Sequence, residues 1–136
     1  MANVWMLGGT SGLGKEMARN ALECGDKVAI LGRSAGELST QPPFDSDDVW
    51  RVNLDLRQSP FLTQGIRRAM DVLSPDTFVW ASGIAQNAGY LDLSFSDVDE
   101  ILNVHLRGPL HLLSRVLNHA KSMGRAIQLV AVSSTS

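Results

Sequence analysis

Three glycines, Gly8, Gly12 and Gly14, fall inside the run Gly8-Gly9-Thr10-Ser11-Gly12-Leu13-Gly14. Each has a physical job if a strand ends before the run and a helix begins within it. Gly8 permits a tight turn with positive φ, Gly12 lets the backbone come close to a pyrophosphate, and Gly14 lets the helix pack on the strand. The unpaired N–H groups and the dipole of the helix start then favour an anion. The flanks meet the condition. Val4 to Leu7 is a short apolar run that reads as a buried strand. From Leu13 to Cys24, the residues Leu13, Met17, Ala18, Ala21 and Leu22 recur at helical spacing, with Gly25 as a stop. The run therefore predicts that Gly8, Thr10, Ser11, Gly12, Leu13 and Gly14 grip the phosphates of a dinucleotide. The bland alternative is a tight turn with no ligand, which would weaken the fold for no structural return. A second alternative is a phosphate loop of the form Gly-x4-Gly-Lys-Ser/Thr. Gly9 to Lys15 nearly fits, but Glu16 stands where a hydroxyl must hold Mg²⁺, and a carboxylate there repels phosphate.

The second strand, Lys27 to Leu31, decides between two cofactors. A fold built for NAD places Asp or Glu at that strand's end, about 20 residues after the turn, to bind the ribose 2′-hydroxyl. Here Gly32-Arg33-Ser34 stands in that place. Arg33, with Ser34 beside it, offers a guanidinium fork for a 2′-phosphate, and Lys15 can add positive charge. NADP is therefore expected ahead of NAD. The bland reading of Arg33 and Lys15 is a solvated basic pair.

The rest of the chain must position these groups. Ser39 to Asp48 reads as loop, Val49 to Leu54 as a third strand, and Ser59-Pro60 as the start of a helix carrying Phe61, Leu62, Ile66, Ala69 and Leu73. Thr77 to Ala81 is a fourth strand. A loop runs to about Ser94, and Ser96 with Asp99 predicts the cap of the next helix. Val98, Ile101, Leu102, His105 and Leu106 continue it, Gly108-Pro109 interrupts, Leu110 to Lys121 resumes, and Gly124 stops it. Ile127 to Val132 is a fifth strand. Strands alternating with helices predict an α/β fold: a Rossmann-like, doubly wound parallel sheet of about five strands, order 3-2-1-4-5. Strands that read as continuous apolar runs agree with burial on both faces. There are no internal repeats. The 136 residues fit one domain, residues 1–136, with an ordinary 44% apolar and 19% charged composition. A net charge of −2 without a basic stripe speaks against a nucleic-acid partner. The single cysteine, Cys24, allows neither an internal disulfide nor a Cys-cluster metal site, and no metal is expected. The opening MANVWML has no charged leader, and no apolar run reaches about 20 residues, so no membrane span and a cytoplasmic protein are expected.

At this point the chain resembles the short-chain dehydrogenase/reductase family. The Gly-x3-Gly-x-Gly spacing is that family's, and further segments line up in order along the whole chain. Asp55 in Asn53-Leu54-Asp55-Leu56 matches the acidic residue that contacts adenine. Ala81-Ser82-Gly83 stands where the family has Asn-Asn-Ala-Gly, and Val104-His105-Leu106-Arg107-Gly108 where it has Val-Asn-Leu-Lys-Gly. Val132-Ser133-Ser134 matches the end of strand five, which places the catalytic serine at Ser134, with Ser133 as runner-up. Asn87-Ala88-Gly89 is not the family's Asn-Ala-Gly, because it does not follow the strand directly. The resemblance implies cofactor contacts at Asp55, Leu56, Ala81, Ser82 and Gly83. It implies an NADP-dependent oxidoreductase of the carbonyl reductase or alcohol dehydrogenase type, acting on a small carbonyl or alcohol.

The departures are as informative. The family's asparagine is His105 here, either a water-binding member of a proton relay or a satisfied core histidine on an apolar helix face. The family's Tyr-x3-Lys pair follows the serine; an adjacent ammonium favours the phenolate. The only tyrosine here is Tyr90, with Ser94 at the fourth position after it. The expectation is therefore the cofactor-binding portion of such an enzyme, cut short and inactive by itself, with strand five as an open edge. The alternative is a non-catalytic dinucleotide-binding sensor or partner module. The Ser96–Lys121 helices resemble part of the family's dimer-forming surface, which implies a homo-oligomer.

Overall fold

A computed structural model describes residues 1–10, 12–57, 64–82 and 92–132. Five parallel strands form one sheet: β1 (Asn3–Leu7), β2 (Lys27–Gly32), β3 (Val49–Asn53), β4 (Thr77–Trp80) and β5 (Gln128–Ala131), in the order β3-β2-β1-β4-β5. Its helices are α1 (Gly12–Glu23), α2 (Gln64–Val72), α3 (Phe95–Leu102) and α4 (Gly108–Ser122). The expected order and class hold, with ends displaced by a residue or so. Among the described residues no helix is long and apolar enough to cross a membrane.

The central strands β1, β2 and β4 are largely apolar because successive side chains bury on opposite faces. Trp5 and Leu7 of β1, Ala29 and Leu31 of β2 and Phe78 of β4 join Ile66, Ala69, Leu112 and Val116 of α2 and α4. Val4, Met6, Val28, Ile30 and Val79 face the other way, onto Ala18 of α1 and onto Leu38 and Phe44. Trp5 pairs in register with Ala29 on one side and Phe78 on the other. Its buried indole N–H donates to the Leu73 carbonyl at 2.8 Å, satisfying the one polar group a central tryptophan brings. β5 is an edge strand, and Leu129 on it is exposed.

Three sequence expectations need correction. The cap of α3 is Ser94, not Ser96. Ser94 Oγ accepts from the Asp97 N–H at 3.2 Å while Asp97 Oδ2 accepts from the Ser94 N–H at 3.0 Å, a reciprocal box that satisfies both ends of the first turn. Gly108-Pro109 does not interrupt the chain of helices. A π-helical turn, Asn103–Arg107, joins α3 to α4, with the Gly108 N–H donating to the Asn103 carbonyl. The wider turn accommodates a proline ring that a regular helix would drive into a carbonyl. Finally, the stretch read as loop from Ser39 overlaps a 3₁₀ segment, Ala35–Thr40, and contains Phe44, which is fully buried. The helix start expected at Ser59-Pro60 lies outside the described residues.

Candidate functional site

A cleft of about 400 Å³ opens beyond the C-terminal ends of β1, β2 and β4, where ligands bind in open α/β sheets. Its floor is Leu7, Leu31, Leu54, Leu56 and Val104; its walls carry Gly8, Thr10, Arg33, Ser34, Glu37, Asp55, Arg57, Ala81 and Ser82.

The glycine turn has the geometry its spacing requires. Gly8 has φ +88°, its N–H donates to the Leu31 carbonyl at 2.9 Å, and a Cβ there would lie 2.6 Å from the Ser82 nitrogen. A Cβ on Gly14 would collide with the Gly8 carbonyl, so the glycine is what lets α1 close onto β1. Gly12, at φ +58°, is the opposite case: a Cβ there would meet nothing within 4 Å. The turn is thus tight against the protein at Gly8 and Gly14 and open at Gly12, where the start of α1 faces outward. That combination fits a bound pyrophosphate. Thr10 lines the cleft and packs under Gly32.

Arg33 is exposed at the rim beside Ser34, and Glu37, one 3₁₀ turn later, brings a carboxylate to the same rim. Lys15 does not reach this cleft. Its Nζ donates to Gln41 Oε1 at 2.9 Å and sits 5.9 Å from the centre of the Phe44 ring, so the positive charge expected from it is spent elsewhere. Across the cleft, Asp55 is gripped by Arg57. Arg57 Nη2 donates to Asp55 Oδ2 at 2.8 Å, while its Nε and backbone N–H each donate to Oδ1 at 3.0 Å. Arg57 Nη1 reaches Glu100 Oε1 of α3 at 3.5 Å, linking this wall to the helix.

The Arg57 side-chain hydrogen bonds hold the Asp55 carboxyl below its ordinary range; partial burial works against them, and the Arg57 backbone N–H and the charges of Arg57 and Arg33 add to the lowering. The same pair raises Arg57. A carboxylate lowered by folding contributes stability that is present above its unfolded pKa and lost as pH falls through the folded one. Arg57→Ala is expected to return the Asp55 titration toward the usual carboxylate range, read by carboxyl-carbon NMR. An unchanged midpoint would remove Arg57 as the cause.

Of the residues read from sequence, Gly8, Thr10, Arg33, Ser34, Asp55, Leu56, Ala81 and Ser82 come together around the cleft. Gly12 and Gly14 shape the turn behind it. Leu13 is exposed on the first turn of α1 and does not line the cleft. His105 is exposed, which overturns its reading as a core histidine. It sits in the π turn beside Val104, which does line the cleft. Ser11, Gly83, Ser133 and Ser134 lie outside the described residues. Sequence reasoning missed Glu37 and Arg57. The signal for Arg57 was its place two residues after Asp55, where a guanidinium can fold back onto the carboxylate.

Comparison with known proteins agrees with this geometry. A family model described as short chain dehydrogenase matches residues 2–136. The cis-2,3-dihydrobiphenyl-2,3-diol dehydrogenase of Paraburkholderia xenovorans (strain LB400) is 28% identical over 123 residues, which are 84% of this chain and 43% of that protein. The chain thus spans less than half the length of that curated relative. Among solved structures, a 4-hydroxyisoleucine dehydrogenase complexed with NADH superposes with a TM-score of 0.85 at 24% identity, over 96% of this chain and 54% of the other. The closed form of a serine dehydrogenase complexed with NADP+ superposes at 0.77 and 21% identity, over 97% and 54%. At these identities the structural likeness establishes the fold.

Proposed function

The chain belongs to the short chain dehydrogenase family of oxidoreductases, and from that premise we propose that it is the cofactor-binding portion of an NADP-dependent enzyme of the carbonyl reductase or alcohol dehydrogenase type. The observation that carries this reading is the rim of the cleft: Arg33 stands at the end of β2, where an NAD-binding fold would carry a carboxylate. A bound nicotinamide cofactor supplies the hydride chemistry, and the protein supplies position and charge. In this reading the turn from Gly8 to Gly14, through Thr10, Ser11 and Gly12, holds the pyrophosphate and Arg33 with Ser34 takes the 2′-phosphate. Asp55 and Leu56 border the adenine, and Ala81, Ser82 and Gly83 continue the wall. Ser134 holds the substrate oxygen by a hydrogen bond, and His105 binds a water in a proton relay. A cytoplasmic homo-oligomer acting on a small carbonyl or alcohol, with no nucleic-acid partner, completes the proposal.

Calorimetric titration of the full-length protein with NADP+, NAD+ and ATP tests it. NADP+ is expected to bind tightest and ATP weakest. A hydrogen-bonded charge at a phosphate contributes about 1.5–3 kcal/mol, so Arg33→Ala is expected to weaken NADP+ binding by about ten- to a hundredfold. NAD+ affinity should stay within about twofold, because NAD+ lacks the group that Arg33 would bind. Tighter binding of NAD+ than NADP+ by the unaltered protein would overturn the assignment of Arg33.

A further inference from the structure

Asp55 and Arg57 stand two residues apart where the chain leaves β3, and both line the cleft. An unattached aspartate turns freely about its side-chain torsions. This one is held. Three N–H groups of Arg57 converge on it: the backbone N–H and Nε on Oδ1 at 3.0 Å each, and Nη2 on Oδ2 at 2.8 Å. Nε also reaches Oδ2 at 3.3 Å. The guanidinium thus meets both oxygens as a planar fork, which sets the tilt of the carboxylate as well as its place. Glu100 of α3 holds the other side of the guanidinium, with Oε1 3.5 Å from Nη1. Two consequences follow for a ligand that covers Asp55. A carboxylate stripped of water without a partner is costly, and the guanidinium offsets that cost in advance. An ionised carboxylate also only accepts hydrogen bonds. A fixed one therefore favours a ligand with a donor at one position and repels a carbonyl oxygen there. Adenine carries such a donor, its exocyclic amino group, where hypoxanthine carries a carbonyl.

We infer that Arg57 is a positioning residue for base selection: by fixing the Asp55 carboxylate, it makes the cleft prefer a purine with an exocyclic amino group over one with a carbonyl in its place. This rests on the dinucleotide reading above, in which Asp55 borders the adenine. Arg57 acts through Asp55 and need not touch the cofactor itself. The lowered titration of Asp55 agrees, since a carboxyl that stays ionised has no proton to donate to the carbonyl base.

The experiment is isothermal titration of the full-length protein with NADP+ and with its deaminated analogue, in which hypoxanthine replaces adenine. One hydrogen bond to a charged group is at stake, so the unaltered protein should bind NADP+ about ten- to a hundredfold more tightly than the analogue. Arg57→Ala should shrink that preference to about threefold or less, because the freed carboxylate can turn from the base. Arg57→Lys keeps the charge without the fork, so its preference should stay close to that of Arg57→Ala. It carries the same test should the alanine variant fold poorly. The ratio is the readout because a wall merely loosened would weaken both ligands alike. Equal weakening of both, with the preference intact, overturns the inference. So does full recovery by Arg57→Lys, which would leave charge alone as the cause, and so does an unaltered protein without the preference. In each of those cases NADP+ binding leaves the cofactor reading intact. An unaltered protein that binds neither NADP+ nor NAD+ overturns both.

Discussion

Gly14→Ala is expected to abolish measurable dinucleotide binding and to destabilise the protein by about 3 kcal/mol, whereas Gly12→Ala weakens binding while costing only about 1–2 kcal/mol of stability. The difference lies in what each new methyl meets. At position 14 it collides with the Gly8 carbonyl. That oxygen belongs to the backbone of the turn itself, so α1 must lift from β1 and the turn must change shape. Forcing a methyl into close-packed surroundings costs about 1–3 kcal/mol, with the upper end fitting an obstacle that cannot rotate away. At position 12 the methyl meets nothing within 4 Å. Its cost is that of a side chain at φ +58°, about 1–2 kcal/mol for an L-residue in the left-handed region. In the proposed reading, the space it fills is the room that a pyrophosphate takes. Urea denaturation and calorimetric titration on both variants separate the two effects. A Gly14→Ala protein as stable as the unaltered one would show that α1 does not depend on this approach.

The same contrast marks what the sequence could tell. The turn and the strands were legible because each answers to a local rule: glycine spacing in one case, burial on both faces in the other. The α3 cap was ambiguous for a concrete reason. Ser94 with Asp97 and Ser96 with Asp99 present the same pattern three residues apart, and only the structure selects the first. The core reading of His105 fails because the apolar face it continues is left unburied along the whole of α3, Val98 included. The π turn at Asn103–Arg107 adds a residue to that turn and so rotates the later residues about the axis. Val104 is left buried while His105 and Leu106 are exposed. Arg57 and Glu37 belong to the cleft through tertiary placement, which no periodicity encodes. Phe44 sits among prolines and aspartates, where composition says loop and nothing indicates burial.

That buried ring makes the second large prediction. Phe44→Ala is expected to destabilise the protein by about 3–5 kcal/mol, the usual cost of deleting a buried aromatic. This is a large share of the roughly 5–15 kcal/mol that holds a domain together, and it should lower the melting temperature by roughly 10 °C or more. Phe44 is wholly buried with Val28, Ile30, Leu38 and Val49. The surrounding polar contacts depend on it rather than replace it. Arg19 stacks 5.4 Å from the ring centre, Arg51 Nη1 donates to the Phe44 carbonyl at 2.7 Å, and Lys15 is fixed to neighbouring Gln41 at 2.9 Å. Each half-buried cation contributes on the order of 0.5–1 kcal/mol, so Lys15→Ala or Arg19→Ala should cost far less than loss of the ring. Phe44→Leu, which keeps most of the volume, should fall between. The consequence reaches the cleft, because the segment anchored by Phe44 begins at the rim with Arg33, Ser34 and Glu37. Loosening the anchor should therefore weaken NADP+ binding even at temperatures where Phe44→Ala is folded, and Phe44→Leu should recover most of it. A Phe44→Ala protein melting within about 2 °C of the unaltered one would deny the ring its place in the core. One that melts low yet binds NADP+ at full strength would show that the rim of the cleft holds its shape without the anchor.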